Sequence, residues 1–246
     1  MWELAFISEQ DFYHHVQETI KQYGEKLKPY DMKKFNSNIV DPIKLMFDKM
    51  VYNMSYEEII RNEIFRQRDK ANNNDIGYFH QSIFRYMKDC EVPDSGWDVI
   101  FTKEQGVEVP ECGRVQTIYV EMKNKHNTMN SASSSKTYMK MQGQLLRDDD
   151  CACFLVEAIA KKSQNIPWQV SVDGVRQKHK RIRRVSMDEF YALVTGQRDA
   201  FYRMCMALPE VIQNVLHQSQ SVAAPHDTVI DELNEMAEKK IKQYRD

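Results

Sequence analysis

The sequence predicts an α/β fold: a mixed central β-sheet flanked by helices, with an N-terminal helical layer. Three observations carry the fold class. Between residues 92 and 140 lie two runs rich in β-branched and aromatic residues, Gly96-Trp97-Asp98-Val99-Ile100-Phe101 and Thr117-Ile118-Tyr119-Val120-Glu121-Met122-Lys123. Turn formers bound them, so both read as strands. Residues 151–160 form a largely apolar run around Phe154, Leu155 and Val156, as a strand covered on both faces requires. A helix-periodic segment joins the second run to this stretch, and a strand–helix–strand crossover implies parallel pairing.

The N-terminal layer is read from helical spacing. Over residues 8–28, Phe12, Val16, Ile20, Tyr23 and Leu27 recur every three or four positions, with Ser8 and Asp11 capping and Pro29 stopping the helix. His14 and His15 fall mid-helix and read as surface and rim residues. Asp41-Pro42 starts the next helix, a capping aspartate before a proline in the first turn. Ile43, Leu45, Met46, Phe47 and Met50 supply its apolar side. Ser55-Tyr56-Glu57-Glu58 is a capping box that opens a helix to about Lys70, with Ile59, Ile60 and Ile64 inward. Asn72-Asn73-Asn74 reads as a turn, followed by a helix over 75–89 with Phe79, Ile83 and Met87 on one face.

Beyond the second strand, residues 124–135 form a polar loop, and Ser135 caps a helix over 136–147 whose sheet-facing side holds Tyr138, Met141, Gln142 and Leu145. Asp148-Asp149-Asp150 reads as a solvated turn, because consecutive side chains diverge. Residues 168–172 form a strand that turns at Asp173-Gly174 and leads into the densest basic run, residues 176–184. Ser186 and Glu189 suggest another capping box. Helices over 187–194 and 200–206 end at Gly196 and Pro209. Residues 219–228 shift to Ser, Gln, Ala and Pro, a linker, before a striped helix over 229–244. The expected organisation is one catalytic domain over 1–218, with a helical layer over 1–74 and a core over 75–218, then a linker and C-terminal helix over 219–246.

Composition bounds the function. With 42% hydrophobic residues and a mean hydropathy of −0.64, the chain reads as globular, with no apolar run long enough to span a bilayer. The N-terminus lacks the basic and apolar regions of a signal peptide, so the cytoplasm is the expected location. Five cysteines without framework spacing read as free thiols. Cys151-Ala152-Cys153 is too tight for a usual zinc pair. The net charge of −2 does not argue against DNA, since a basic groove needs only a local excess.

The chemistry lies on the two central strands. Side chains alternate with a period of two, so Glu121 and Lys123 share a face, and Asp98 points away from Trp97, Val99 and Phe101. In the right register Asp98 joins Glu121 and Lys123. Two carboxylates make a hard-oxygen site for Mg²⁺ beside a positive group, the equipment for metal-assisted attack of water on a phosphodiester. The polar loop and the start of the helix after it supply side chains that read bases or bond phosphates: Asn124, Lys125, His126, Asn127, Asn130, Ser133 and Lys136. Arg181, Arg183 and Arg184 of the basic run form a candidate phosphate strip.

The spacing of Asp98 from Glu121-Met122-Lys123 resembles the PD-(D/E)XK nuclease motif. Asn72-Asn73-Asn74-Asp75-Ile76-Gly77-Tyr78-Phe79-His80-Gln81, then Gly96-Trp97-Asp98-Val99, then residues 120–130 together resemble one type II restriction endonuclease family, whose members cut GG-N-CC palindromes. The likeness runs from about Asp41 to about Pro209. No proline precedes Asp98, which leaves Asp94 as the alternative first carboxylate. The resemblance implies a restriction-endonuclease-like form of the mixed sheet, and a Mg²⁺-dependent, sequence-specific endonuclease leaving 5′-phosphate and 3′-hydroxyl ends. Asp98, Glu121 and the Met122 carbonyl would hold the metal, and Lys123 would serve catalysis. Such folds bring in an early-helix carboxylate, for which Glu63 is the candidate and Glu58 the reserve, and Gln142 is a further accessory candidate. Expected partners are duplex DNA with a short palindromic site, a second copy of the chain in a homodimer, and a cognate DNA methyltransferase as functional companion. Two alternatives stay open on the residues alone: a structure-specific repair or recombination nuclease, and a non-catalytic DNA-binding module.

Overall fold

The computed structural model describes residues 2–26 and 28–218, with Thr228, Val229, Glu232 and Glu235 beyond them. The linker expected over 219–228, apart from Thr228, and most of the striped C-terminal helix lie outside the described residues, as does Leu27. Two compact units divide the chain: residues 1–17 with 76–215, and residues 18–75 with 216–246.

The first unit is built on a six-stranded sheet of order β1-β2-β3-β4-β6-β5. Its strands are β1 (Cys90–Glu91), β2 (Val99–Val109), β3 (Gly113–Lys125), β4 (Cys151–Ile159), β5 (Asn165–Val172) and β6 (Val175–Ser186). β4 pairs in parallel with both β3 and β6, and the other pairs are antiparallel. The mixed sheet with flanking helices is the predicted fold class. Cys151 to Val156 of β4 are all buried, which is why that part of the strand reads as continuously apolar. The β5–β6 turn has φ 51° at Asp173 and 79° at Gly174, the left-handed pair that joins two antiparallel strands through two residues.

Helix α5 (Ser131–Leu145) covers one face of the sheet. Tyr138 and Met141 bury against Cys153, Leu155, Trp168 and Ile182, and Trp97, Tyr119 and Leu145 close the edge of this cluster. Trp97 therefore does not share a face with Val99 and Phe101 as expected. β2 begins only at Val99, so the period-two rule does not extend back to the tryptophan, which packs on Tyr119 with ring centroids 5.4 Å apart. α5 also starts earlier than expected. Asn130 is its N-cap, accepting from the Ser133 N–H at 2.8 Å, while Ser135 sits inside the helix with its hydroxyl on the Ser171 carbonyl at 2.8 Å.

Helix α6 (Met187–Thr195) packs against β4 and β6. Its expected capping box is not made: Ser186 Oγ accepts from the Gln164 N–H at 2.9 Å, and Glu189 accepts from Ser163 Oγ at 3.1 Å. Gly196 ends it at φ 73°. Helix α7 (Ala200–Gln218) runs through Pro209 instead of stopping there. Met204, Val211 and Val215 stay buried along one stripe, and that packing outweighs the hydrogen bond a helix loses at proline. Among the described residues, no helix is long and apolar enough to cross a membrane.

Helix α1 (Glu9–Lys26) gives its first turns to this unit. Phe12 and Val16 are buried as predicted, and His14 is exposed. His15, expected at the surface or rim, is only 6% exposed, because its ring fits against Phe79 and its Nε2 meets the Phe79 carbonyl at 3.0 Å. Phe79 lies near the end of helix α4 (Tyr56–Ser82), which passes into a short 3-10 helix, Ile83–Tyr86. Asn72-Asn73-Asn74 is thus helical rather than a turn. Asn73 Nδ2 back-bonds to the Asp69 carbonyl at 2.9 Å and its carboxylate at 3.0 Å, and the modest helix cost of asparagine yields to the packed segments on either side.

The second unit holds the rest of α1 and the start of α4, with α2 (Met32–Asn36) and α3 (Pro42–Tyr52). Tyr30, Phe35, Ile64 and Val229 form its core. The predicted caps are present: Asp41 accepts from the Ile43 N–H at 2.9 Å, and Ser55 and Glu58 exchange bonds of 2.8 and 3.2 Å. The apolar side expected for α3 does not pack inward. No α3 residue is buried, and Met46, Phe47, Met50 and Val51 are all at least 60% exposed.

Candidate active site

β3 is the strand to which the site is fastened. Its antiparallel ladder with β2 pairs Val99 with Val120 and Phe101 with Ile118, so one further step sets Asp98 across from Glu121. The Asp98 main chain holds that step by donating its N–H to the Val120 carbonyl at 3.0 Å. Its side chain turns the same way: Asp98 Oδ2 accepts from the Met122 N–H at 2.7 Å. The first carboxylate is thus tied to the strand that carries the second, beside the residue that separates Glu121 from Lys123. Asp94 is exposed in the bend before β2.

Ile118 and Val120 are fully buried, so the alternation of β3 turns Tyr119, Glu121 and Lys123 toward the opposite face, beneath α5. Lys123 Nζ lies 3.8 Å from Glu121 Oε2. A second lysine, which sequence reasoning missed, reaches the same carboxylate. Lys140, on α5, pairs with Glu121 Oε1, donates to the Gly96 carbonyl, and lies 4.0 Å above the Trp97 ring. Sequence spacing could have shown only that Lys140 neighbours the buried Met141. Its approach to Glu121 depends on how α5 crosses the sheet.

Within an extended strand, a residue's N–H and C=O leave toward the same side, so the Met122 carbonyl points the way its N–H does, toward Asp98. Asp98, Glu121 and that carbonyl form a set of hard oxygen donors. Such a set suits a hard divalent cation, which takes oxygen ligands. Among the described residues, no group of three or more His, Cys, Asp or Glu side chains is placed to hold a metal ion.

A second polar cluster adjoins Lys123. Glu157 of β4 pairs across from Lys123 in the parallel ladder and is 2% exposed. Its carboxylate takes Arg184 on one oxygen and His126 Nδ1, at 3.1 Å, on the other, while Arg184 Nη2 lies 2.6 Å from His126 Nδ1. A cavity of about 50 Å³ opens beside it, lined in part by Lys123, Asn127, Trp168 and Arg184.

The expected DNA-contacting residues fall into distinct settings. Asn124 and Lys125 close β3, with Asn124 packed where a side chain on Gly77 would fall (3.0 Å from Asn124 Oδ1). Asn127 takes φ 60° in the turn. Asn130 and Ser133 are spent on the α5 cap, and Lys136 is exposed on the first turns of α5. The basic run is the second arm of a hairpin, not a single strip. Arg183 is fully buried, its guanidinium bonded to Asn165 Oδ1 and the Asn165 carbonyl at 2.5 Å and to the Lys180 carbonyl at 3.0 Å. Arg181 donates to the Asp149 carbonyl. Arg176, Lys178 and Lys180 are the outward charges of β6. Gln142 is half-buried on α5.

In the second unit, Glu63 is 5% exposed and bonded by Arg66 at 2.5 and 2.7 Å and by Gln67 at 3.0 Å. The Arg66 guanidinium holds its carboxyl below the usual range. Glu58 is committed to the capping box.

The sequence model of the Eco47II restriction endonuclease family matches residues 4–217. The chain belongs to the Eco47II restriction endonuclease family. The likeness is wider than residues 41–209, taking in α1 and most of α7. Two curated relatives agree. Type II restriction enzyme Sau96I of Staphylococcus aureus is 29% identical over 214 residues, covering 84% of this chain and 78% of that enzyme. Type II restriction enzyme Eco47II of Escherichia coli is 28% identical over 226 residues, covering 87% and 89%. As a member of the family, this restriction endonuclease is a site-specific deoxyribonuclease acting in restriction and modification of DNA. Of the readings the residues left open, membership selects the sequence-specific nuclease. Type II restriction endonucleases work with a divalent metal, for which the oxygen donors around β3 are the matching chemistry.

Proposed function

We propose that this chain hydrolyses both strands of a short palindrome of the GG-N-CC kind, using Mg²⁺ held by Asp98, Glu121 and the Met122 carbonyl. The hydrogen bond of 2.7 Å from the Met122 N–H to Asp98 Oδ2 carries this reading, because it ties the first carboxylate to the Glu-x-Lys strand. A divalent cation bound there supplies a Lewis acid and lowers the pKa of water. Lys123, beside Glu121, aims its ammonium at the attacking water and at the negative charge that develops on the phosphate. Water adds to phosphorus, and the bond to the 3′ oxygen breaks. The oxygen takes up a proton, leaving 3′-hydroxyl and 5′-phosphate ends. Phosphate contacts come from Lys125, Lys136 and the outward charges of β6, and base contacts from the turn around Asn127. The enzyme acts in the cytoplasm, alongside a DNA methyltransferase that protects the host copy of the site.

One site per chain and two equivalent strands favour a homodimer whose two-fold axis coincides with that of the palindrome. The uncovered apolar side of α3 supports this: Met46, Phe47 and Met50 are 60%, 65% and 78% exposed, and contiguous apolar surface of this kind marks a contact site.

The test is incubation of the pure protein with plasmid DNA and Mg²⁺, followed by sequencing of the fragment ends. Discrete ends at one palindrome are expected. Asp98→Ala and Glu121→Ala should cut nothing while still binding DNA, and full activity in either variant defeats the assignment. Sedimentation with a short duplex carrying the recovered site should give two chains per duplex; one chain, with nicked intermediates accumulating, defeats the dimer.

A further inference from the structure

Lys140 lies outside the Glu-x-Lys motif, yet it makes the closest contact to the Glu121 carboxylate. Its ammonium is held on three sides: by Glu121 Oε1, by the Gly96 carbonyl, and by the face of the Trp97 ring at 4.0 Å. Both oxygens are hard donors, and an aromatic face attracts cations through its quadrupole. This is a small cation site, and the cation in it belongs to the protein. Glu121 is 14% exposed in its side chain and Lys140 37%, so the carboxylate is well sheltered while the lysine stem retains a path to solvent. The other oxygen of Glu121 faces Lys123 at 3.8 Å.

We infer that Lys140 is a built-in competitor for the divalent cation. In the DNA-free protein its ammonium occupies the inner position on Glu121 and holds metal affinity down. The inference rests on the proposed metal role of Glu121, and it adds a residue that restrains this role. A divalent ion that takes Glu121 Oε1 has to displace the ammonium, because one carboxylate oxygen cannot keep both cations at contact distance without bringing them together. The Gly96 carbonyl and Trp97 then give up their cation as well. The linkage is reciprocal: whatever free energy the lysine gains on Glu121 is subtracted from metal binding there.

The deciding measurement is Mn²⁺ binding to the full chain without DNA, read as free Mn²⁺ by electron paramagnetic resonance. Lys140→Met keeps the apolar stem over Trp97 and removes the charge, and it should bind Mn²⁺ more tightly by about tenfold, within the range typical of coupled sites. Lys140→Gln should shift affinity in the same direction, which covers the case of a methionine variant that fails to fold. Lys140→Arg, retaining the charge, should bind Mn²⁺ as the unaltered chain does. Unchanged or weaker Mn²⁺ binding in the folded methionine and glutamine variants overturns the inference. Glu121→Gln separates the two layers. If it abolishes Mn²⁺ binding while Lys140→Met leaves binding unchanged, the metal assignment stands and the competitor falls. If Glu121→Gln binds Mn²⁺ as before, the metal assignment falls, and the competitor with it.

Discussion

Replacing His15 with glutamine should flatten the acid side of the stability profile of the sheet-bearing unit. His15 is 6% exposed, with its ring centroid 4.6 Å from that of Phe79 and 5.8 Å from that of Tyr86. Burial pushes the imidazole from 6.5 down to about 4, against the opposing pull of the Phe79 carbonyl, and the charges of His14, His80 and Arg85 add to the depression. The charged groups that act on it are thus His14 on its own helix, His80 on α4 and Arg85 in the 3-10 turn that follows. Since the native value lies below the unfolded one, the unfolded chain takes the proton first as pH falls. The contribution is complete above pH 6.5 and is lost as pH falls toward 4. At roughly 1.4 kcal/mol per pH unit, the full loss is about 3 kcal/mol, of which about 2 kcal/mol falls between neutrality and about pH 5. Glutamine places an amide N–H near the position of Nε2 and does not titrate. All three tryptophans, Trp2, Trp97 and Trp168, lie in this unit, so urea unfolding followed by tryptophan fluorescence reports on it directly. The unaltered chain should lose about 2 kcal/mol more than His15→Gln between the two conditions. His80, also pushed down by burial, contributes to both proteins and cancels. Parallel pH profiles would refute the reasoning.

Other substitutions test the assignments around β3 and β6. Arg183→Met should cost about 3 kcal/mol in urea unfolding, since it strands the Asn165 and Lys180 acceptors, while the DNA affinity of the folded fraction stays unchanged. Asn130→Ala removes the α5 cap and should lower stability by about 1 kcal/mol; an unchanged denaturation midpoint would show that water replaces the cap fully. Lys178→Gln with Lys180→Gln should weaken binding to every duplex and lower the log–log salt slope by about one for each phosphate left without its lysine. An unchanged slope would remove β6 from the DNA-binding surface.

The parts legible in the sequence were those fixed by local chemistry or by strict alternation. The Ser55–Glu58 box, the Asp41-Pro42 start, the Asp173-Gly174 turn and the doubly buried β4 each depend on neighbours along the chain. The shared face of Glu121 and Lys123 follows from the pleat alone. Other features were hidden because distant partners decide them. Asn72-Asn73-Asn74 looks like a break until helix on both sides keeps it regular. Residues 176–184 look like one phosphate strip until pairing with β4 and β5 draws Arg183 into the interior. His15 reads as surface until Phe79 meets it from 64 positions away. Lys140 carries no mark in the sequence at all, because its role depends on where α5 lies across Glu121.

The parallel pairings of β4 also bear on the order in which the sheet can be completed. β3 carries Glu121 and Lys123, but one whole edge of it has no neighbour until Cys151–Ile159 has been made, and β4 in turn is open until β6 arrives. Contacts between strands so far apart in sequence form late, after the loop between them has been closed. A nascent or truncated chain that stops short of Ser186 would carry every residue of the motif and no complete sheet to hold it. A chain that ends before β6 therefore carries Asp98, Glu121 and Lys123 without the parallel neighbours that order β3 and β4.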